Sequence, residues 1–195
     1  MPRQSTNKKA KSKSNFKKTN LKYGLILLAI LIIAAGSIIA LTSQDGEPPE
    51  KSWGNAPDFT LKTFQGDDFT LSDHLGKVVL IDLMAVRCPP CETQMLYLDE
   101  LNGEVGDEVV MISIDVDGAY GTETEQQVRN KFGDYVEKWI FAMDTSKEKV
   151  GSKEEYQTGY IPTIVIINTE GDISYKNYGA HPKETLLEEI KKANI

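Results

Sequence analysis

Only two cysteines occur in the 195 residues, Cys88 and Cys91. A disulfide-dense scaffold is therefore excluded, and so is a four-cysteine zinc site. Histidine is equally sparse: His74 and His181 are the only two, and neither has ligand-like spacing to a partner. Acidic residues are missing from residues 1–22, and charge of either sign is missing from Tyr23 to Gln44. No cysteine stands at the end of that uncharged stretch, so a lipoprotein attachment has no acceptor there. No internal repeat is visible. The remaining composition, 40% hydrophobic and 26% charged, is that of a globular protein and excludes collagen-like or wholly disordered chains.

The formal net charge of −7 averages unlike parts. Arg3, Lys8, Lys9, Lys11, Lys13, Lys17, Lys18 and Lys22 give residues 1–22 a charge of +8. The rest then carries 22 − 8 = 14 basic against 29 acidic residues, or −15. So acidic a body argues against nucleic acid as a partner, because phosphate binding needs clustered Lys and Arg. The Lys/Ser/Asn-rich tail lacks the apolar residues to bury a core and reads as a disordered cytoplasmic segment. Residues 23–44 are apolar all round and long enough to cross about 30 Å of hydrocarbon. They exceed the usual apolar region of a cleaved signal, so an uncleaved signal-anchor is expected. The positive flank places the N-terminus in the cytoplasm and the acidic body outside the cell membrane. Residues 45–57, with Gly46, Pro48, Pro49, Gly54 and Pro57, read as a linker.

Residues 58–195 have the length of one domain with its own core. Phe59–Leu61 and Phe69–Leu71 flank a turn and predict a hairpin. Val78–Met84 is a nearly continuous apolar run, the mark of a strand buried on both faces. Met95, Leu98 and Leu101 recur at helical spacing, and Val109–Ile114 supplies a second buried strand, giving a β-α-β unit. Thr122 with Glu125 predicts a capping box before a helix bearing Val128 and Phe132. Thr145 with Glu148 predicts another, opening a helix toward Tyr156. Trp139–Met143 and Thr163–Ile167 read as strands, and Asn168–Asp172 as a turn before a strand at Ile173. Pro182 suits the first turn of a last helix with Leu186, Leu187 and Ile190 on its apolar face. The acidic loop Asp115–Gly118 lacks the ligands of a calcium loop and reads as solvated.

Both cysteines fall in one segment, Cys88-Pro89-Pro90-Cys91, just after a buried strand and at a helix start. A helix N-terminus offers free N–H groups and the positive end of the dipole, which stabilise a thiolate. Cys88 is therefore the expected nucleophile, and Cys91, one turn on, can resolve a mixed disulfide. So small a loop removes little unfolded-state entropy, which counts against a purely structural disulfide. Soft Cu(I) binding by two thiolates stays open, and with it a non-enzymatic, tethered copper-binding module.

The run Val79–Cys91 resembles the active-site segment of thioredoxin-fold proteins, and Gly159-Tyr160-Ile161-Pro162-Thr163 resembles their cis-proline loop. Ala56–Leu61 and Leu71–Asp73 resemble the extra N-terminal hairpin of the redoxin branch, which includes membrane-anchored TlpA-like and ResA-like thiol–disulfide oxidoreductases and AhpC/TSA relatives. The resemblance implies an α/β thioredoxin-like fold, a central mixed sheet flanked by helices, preceded by one transmembrane helix. It implies Cys88 as attacking and Cys91 as resolving cysteine, and a cis Pro162 that presents the Ile161 backbone to a substrate chain. Asp82 matches the buried acid of thioredoxin and is the expected proton shuttle for Cys91. Arg87 and Met84 stand where the family often has tryptophan. Arg87 either stabilises the Cys88 thiolate or is a solvated charge. Expected partners are protein thiols and disulfides and a membrane or extracytoplasmic redox partner. The expected state is monomeric, and no metal or cofactor is implied. A thiol peroxidase of the AhpC/TSA type is the weaker enzymatic alternative, since the threonine before a peroxidatic cysteine is missing.

Overall fold

A computed structural model describes residues 55–146, 150–151 and 153–194. The expected tail, the anchor and most of the expected linker lie outside them. The chain from Ser52 to Ile195 forms one compact unit.

Among the described residues, seven strands and three α-helices build it. β1 (Thr60–Lys62) and β2 (Asp68–Thr70) form the expected antiparallel hairpin. β3 (Val78–Met84) is buried at every position, as its unbroken apolar run requires. α1 (Pro89–Val105) and β4 (Val109–Asp115) complete the β-α-β unit, with β3 and β4 parallel in the register Asp82–Ser113 and Met84–Asp115. α2 (Glu125–Val136), β5 (Ile140–Met143), β6 (Thr163–Ile167), β7 (Ile173–Tyr178) and α3 (Lys183–Ala193) follow. The five-stranded sheet runs β5-β4-β3-β6-β7, with β6 antiparallel to both neighbours.

Each sheet face has its own core. Leu80, Met84, Met111, Ile164 and Ile166 face the helices, meeting Met95, Leu98 and Leu101 of α1 and Leu186 and Ile190 of α3. Val79, Ile81, Leu83, Ile112 and Ile114 face the other way and meet Phe59, Leu61 and Phe69 of the hairpin and the fully buried Tyr156. The period-2 alternation along β3 therefore puts Asp82 on the helix side, with Leu80 and Met84.

Three local expectations change. The capping box of α2 is Thr124 with Gln127, not Thr122 with Glu125. Thr122 is unavailable because its hydroxyl donates to the Asp117 carbonyl at 3.0 Å. Glu148 lies outside the described residues, and those described between Thr145 and Tyr156 form no helix. Instead the buried Asp144 carboxylate accepts the N–H groups of Ser146, Val150 and Gly151 and ties them into a turn. Asn55–Pro57, at the end of the expected linker, are joined to the folded body. Asn55 N–H donates to Asp172 Oδ1 at 2.8 Å, Ala56 N–H to the Gly171 carbonyl at 3.1 Å, and Tyr156 OH to the Pro57 carbonyl.

Candidate active site

Cys88 is the N-cap residue of α1, in extended conformation, and Pro89 and Pro90 occupy the first two helical positions. Those prolines have no N–H, so the first donor of the helix is Cys91 N–H. It donates to Cys88 Sγ at 3.2 Å. The same N–H also donates to the Cys88 carbonyl at 3.0 Å, so the first donor of the helix is shared between that oxygen and the sulfur expected to carry the negative charge. The two cysteines form a disulfide with Cα atoms 5.2 Å apart. Cys88 retains 5% exposure and Cys91 none, so attack from outside meets Cys88 first.

Pro162 closes the opposite wall. The Ile161–Pro162 bond is cis, and Thr163 immediately after it begins β6, which pairs with β3 at Leu83. Thr163 Oγ1 donates to the Tyr160 carbonyl at 2.6 Å and fixes the loop. Ile161 is partly buried against the helix-side core that contains both cysteines. Tyr160, 67% exposed, packs against Tyr178 with ring centroids 5.1 Å apart, so the exposed aromatics flank the cis-proline loop. Cys88, Cys91, Ile161 and Pro162 therefore stand at the same end of the sheet, the C-terminal end of β3.

Asp82 is fully buried under that end, on the sheet face that meets Cys91 and α1. Its Oδ2 accepts from Ser113 Oγ at 3.0 Å, and Ser113 Oγ in turn accepts from Trp139 Nε1 at 3.0 Å. Its Oδ1 has no hydrogen-bond partner among the described residues. Burial pushes the carboxyl from 3.8 up to about 7, opposed only in part by the Ser113 bond. An acid poised near neutrality inside an apolar core can take or give a proton at working pH.

Arg87 does not stand alone. Its side chain is 71% exposed, with Nε 3.5 Å from Glu123 Oε1. Glu123 itself is buried and accepts the N–H of Val86 at 2.7 Å and of Arg87 at 3.3 Å. Asp115, read from the sequence as part of a solvated loop, is wholly buried. Sequence reasoning missed Glu123 because a glutamate between two threonines carries no periodic signal. Asp115 had one: it ends a run of strand residues that are otherwise buried. Gln94, also missed, lies one turn beyond Cys91, fully buried, and accepts His181 N–H at 2.7 Å, tying α1 to the segment before α3. Among the described residues no group of acidic, histidine or cysteine side chains could hold a metal ion.

A family model described as Redoxin matches residues 30–194. The chain belongs to the Redoxin family. Among its relatives is the thiol-disulfide oxidoreductase ResA of Oceanobacillus iheyensis, 30% identical over 183 residues, covering 90% of this chain and 87% of that one. ResA of Bacillus anthracis is 29% identical over 177 residues, covering 90% and 98%. The thioredoxin-like protein YneN of Bacillus subtilis is 27% identical over 165 residues, covering 85% and 94%. Among solved structures, the exposed lipoprotein thioredoxin of Streptococcus pneumoniae superposes with a TM-score of 0.58 at 26% identity, over 70% of this redoxin and 99% of that chain. StoA of Bacillus subtilis superposes with a TM-score of 0.57 at 20% identity, over 69% and 97%, and shows the shared fold. The mixed sheet with flanking helices is thus the thioredoxin-like fold that the resemblance implies.

Proposed function

We propose that this redoxin is a membrane-anchored, outward-facing thiol–disulfide oxidoreductase that exchanges its Cys88–Cys91 pair with disulfides of other proteins. The activity class follows from the family and from the relatives that carry that name. The observation that supports the residue roles is the asymmetry of the pair: a slightly exposed Cys88 whose sulfur accepts from the first N–H of α1, and a buried Cys91 behind it. In the reductive direction the Cys88 thiolate attacks a substrate disulfide, forming a mixed disulfide and expelling one substrate thiolate. Cys91, deprotonated, then attacks Cys88 Sγ, releasing the second substrate thiolate and leaving Cys88–Cys91 oxidised. Asp82 takes the Cys91 proton in that second step. Two electrons pass to the substrate, and the reverse sequence oxidises it. The Ile161 backbone beside the cis-proline is the edge along which a substrate chain pairs.

The anchor at residues 23–44, the cytoplasmic tail at 1–22 and the extracytoplasmic placement rest on the uncharged run and the +8 flank. Among the described residues no helix is long and apolar enough to cross a membrane.

The test is trapping. Cys91→Ser should accumulate mixed disulfides with partner proteins, visible on non-reducing gels, whereas Cys88→Ser should accumulate none. Equal trapping by both variants overturns the assignment. Stoichiometric Cu(I) uptake without disulfide exchange would favour the copper-binding alternative, and turnover of a hydroperoxide the peroxidatic one.

A further inference from the structure

The chain entering Cys88 is held by an acid that the exchange scheme does not use. Glu123, 5% exposed, accepts the N–H groups of Val86 and Arg87, the two residues before the cysteine. Those bonds span from the loop ahead of α2 to the exit of β3. Asp115 lies beside Glu123 at the end of β4, wholly buried. One of its oxygens accepts Gly118 N–H at 2.8 Å. The backbone closes the same junction, since Val116 N–H donates to the Met84 carbonyl at 3.0 Å. Arg87 Nε, at 3.5 Å from Glu123, approaches from the solvent side. Asp117, in the short turn after β4, adds a further negative charge that acts on Asp115. Asp144, after β5, directs its carboxylate to the N–H groups of Ser146, Val150 and Gly151.

Two buried carboxyls side by side cannot both ionise cheaply, so one keeps a proton. Glu123 has the donors that suit a carboxylate: two amides and a guanidinium. Asp115 has one amide, and its carboxyl otherwise bonds to the Glu123 carboxyl. Burial, and then the hydrogen bond to the Glu123 carboxyl, push the Asp115 carboxyl well above the usual carboxylate range. At neutral pH Asp115 is therefore mainly the neutral member. Loss of its proton would set a second charge against Glu123 and loosen the grip on Val86 and Arg87.

We propose that Glu123 is a positioning residue for the exchange step, fixing the approach to Cys88 through the Val86 and Arg87 amides, with the buried Asp115 carboxyl beside it setting how firmly that grip holds. This rests on the reading above in which Cys88 meets the substrate. It predicts an alkaline loosening of the loop that the cysteines themselves do not cause.

The test follows the amide proton resonances of Val86 and Arg87 against pH in the oxidised full chain in detergent micelles, where the disulfide cannot titrate. Both should shift as pH rises above neutrality in the native protein. In Asp115→Asn the shift should shrink to what Asp82 alone contributes, and vanish in Asp82→Asn/Asp115→Asn; in Glu123→Gln, which keeps only one acceptor oxygen, the Val86 and Arg87 resonances should move at every pH. Glu123→Gln should also slow reduction of a model peptide disulfide by about tenfold to a hundredfold, the scale of a small misplacement of a reacting group. Amides that do not titrate in the native chain, or that titrate unchanged in Asp115→Asn, overturn the proposal. So does a Glu123→Gln variant that exchanges at the native rate. If the native chain performs no exchange while its amides titrate, it is the exchange reading that falls.

Discussion

Asp82→Asn isolates the energetics of the buried acid. In the unfolded chain the carboxyl ionises near 3.8, whereas in the fold burial raises it to about 7. Below the first value both states bind the proton and the group is neutral in its effect. Between the two values the unfolded state loses its proton and the folded state does not, so stability falls as pH rises. Above about 7 the loss is complete. A difference of about 3 pH units at about 1.4 kcal/mol each makes it about 4 kcal/mol, a large part of the roughly 5–15 kcal/mol of an ordinary domain. The side chain is fully buried, so solvent screening does not reduce this figure. Asparagine keeps an acceptor for Ser113 Oγ and has nothing to titrate. Urea unfolding of the oxidised protein, native and variant, at about pH 4 and about pH 9 should show the variant gaining about 4 kcal/mol relative to the native chain between the two conditions. Asp115, also raised, titrates in both proteins and cancels in the difference. Stability curves that stay parallel within about 1 kcal/mol would refute the placement of an ionisable Asp82 in an apolar core. The same variant should slow exchange near neutral pH, because the proton acceptor of the Cys91 step is gone, and an unchanged rate across pH would remove the shuttle role.

Other perturbations test the frame around the site. Phe141→Ala empties a fully buried position between Phe64 and Trp139 and should cost about 3–5 kcal/mol in chemical denaturation. Trp139→Phe removes the donor to Ser113 Oγ and should cost about 1–3 kcal/mol, read by circular dichroism because the fluorophore changes. Gly118→Ala would set a Cβ 2.3 Å from Met143 Cγ and 3.3 Å from the Asp144 carbonyl. A loss of about 1–3 kcal/mol in thermal or urea unfolding is expected, and a neutral result would mean that this turn yields freely.

What could be read from the chain followed from how strongly each element is determined locally. β3 has no polar residue but Asp82, so only a strand buried on both faces accommodates it. The strand, Cys-Pro-Pro-Cys and helix succession, and the Ile-Pro-Thr segment, carried the site with the same directness. The cap of α2 was harder because Thr122–Glu125 and Thr124–Gln127 both satisfy the pattern two residues apart. Tertiary structure decides: Thr122 bonds to Asp117 and Glu125 pairs with Arg129 at 2.7 Å, leaving Thr124 and Gln127 to cap each other. Asp115 and Glu123 escaped for the opposite reason. Glu123 looks like a surface acid in its own neighbourhood, Asp115 was read with the acidic loop after β4 rather than with the apolar run it ends, and the meeting of the β4 end with the loop before α2 buries both.

The three bonds that fasten Asn55 and Ala56 to Gly171, Asp172 and Ile173 have a mechanical meaning. The turn at Gly171 follows the Ile167 end of β6, which pairs with Val79, whereas the cis-proline is at the Thr163 end, which pairs with Leu83. Across a strand rising about 3.3 Å per residue, those ends are separate poles of the sheet. The point at which the chain enters the domain is thus fixed on the pole away from the reactive sulfurs. Any leash leading to that point would restrain the domain from behind, leaving its oxidisable face free to swivel toward a partner.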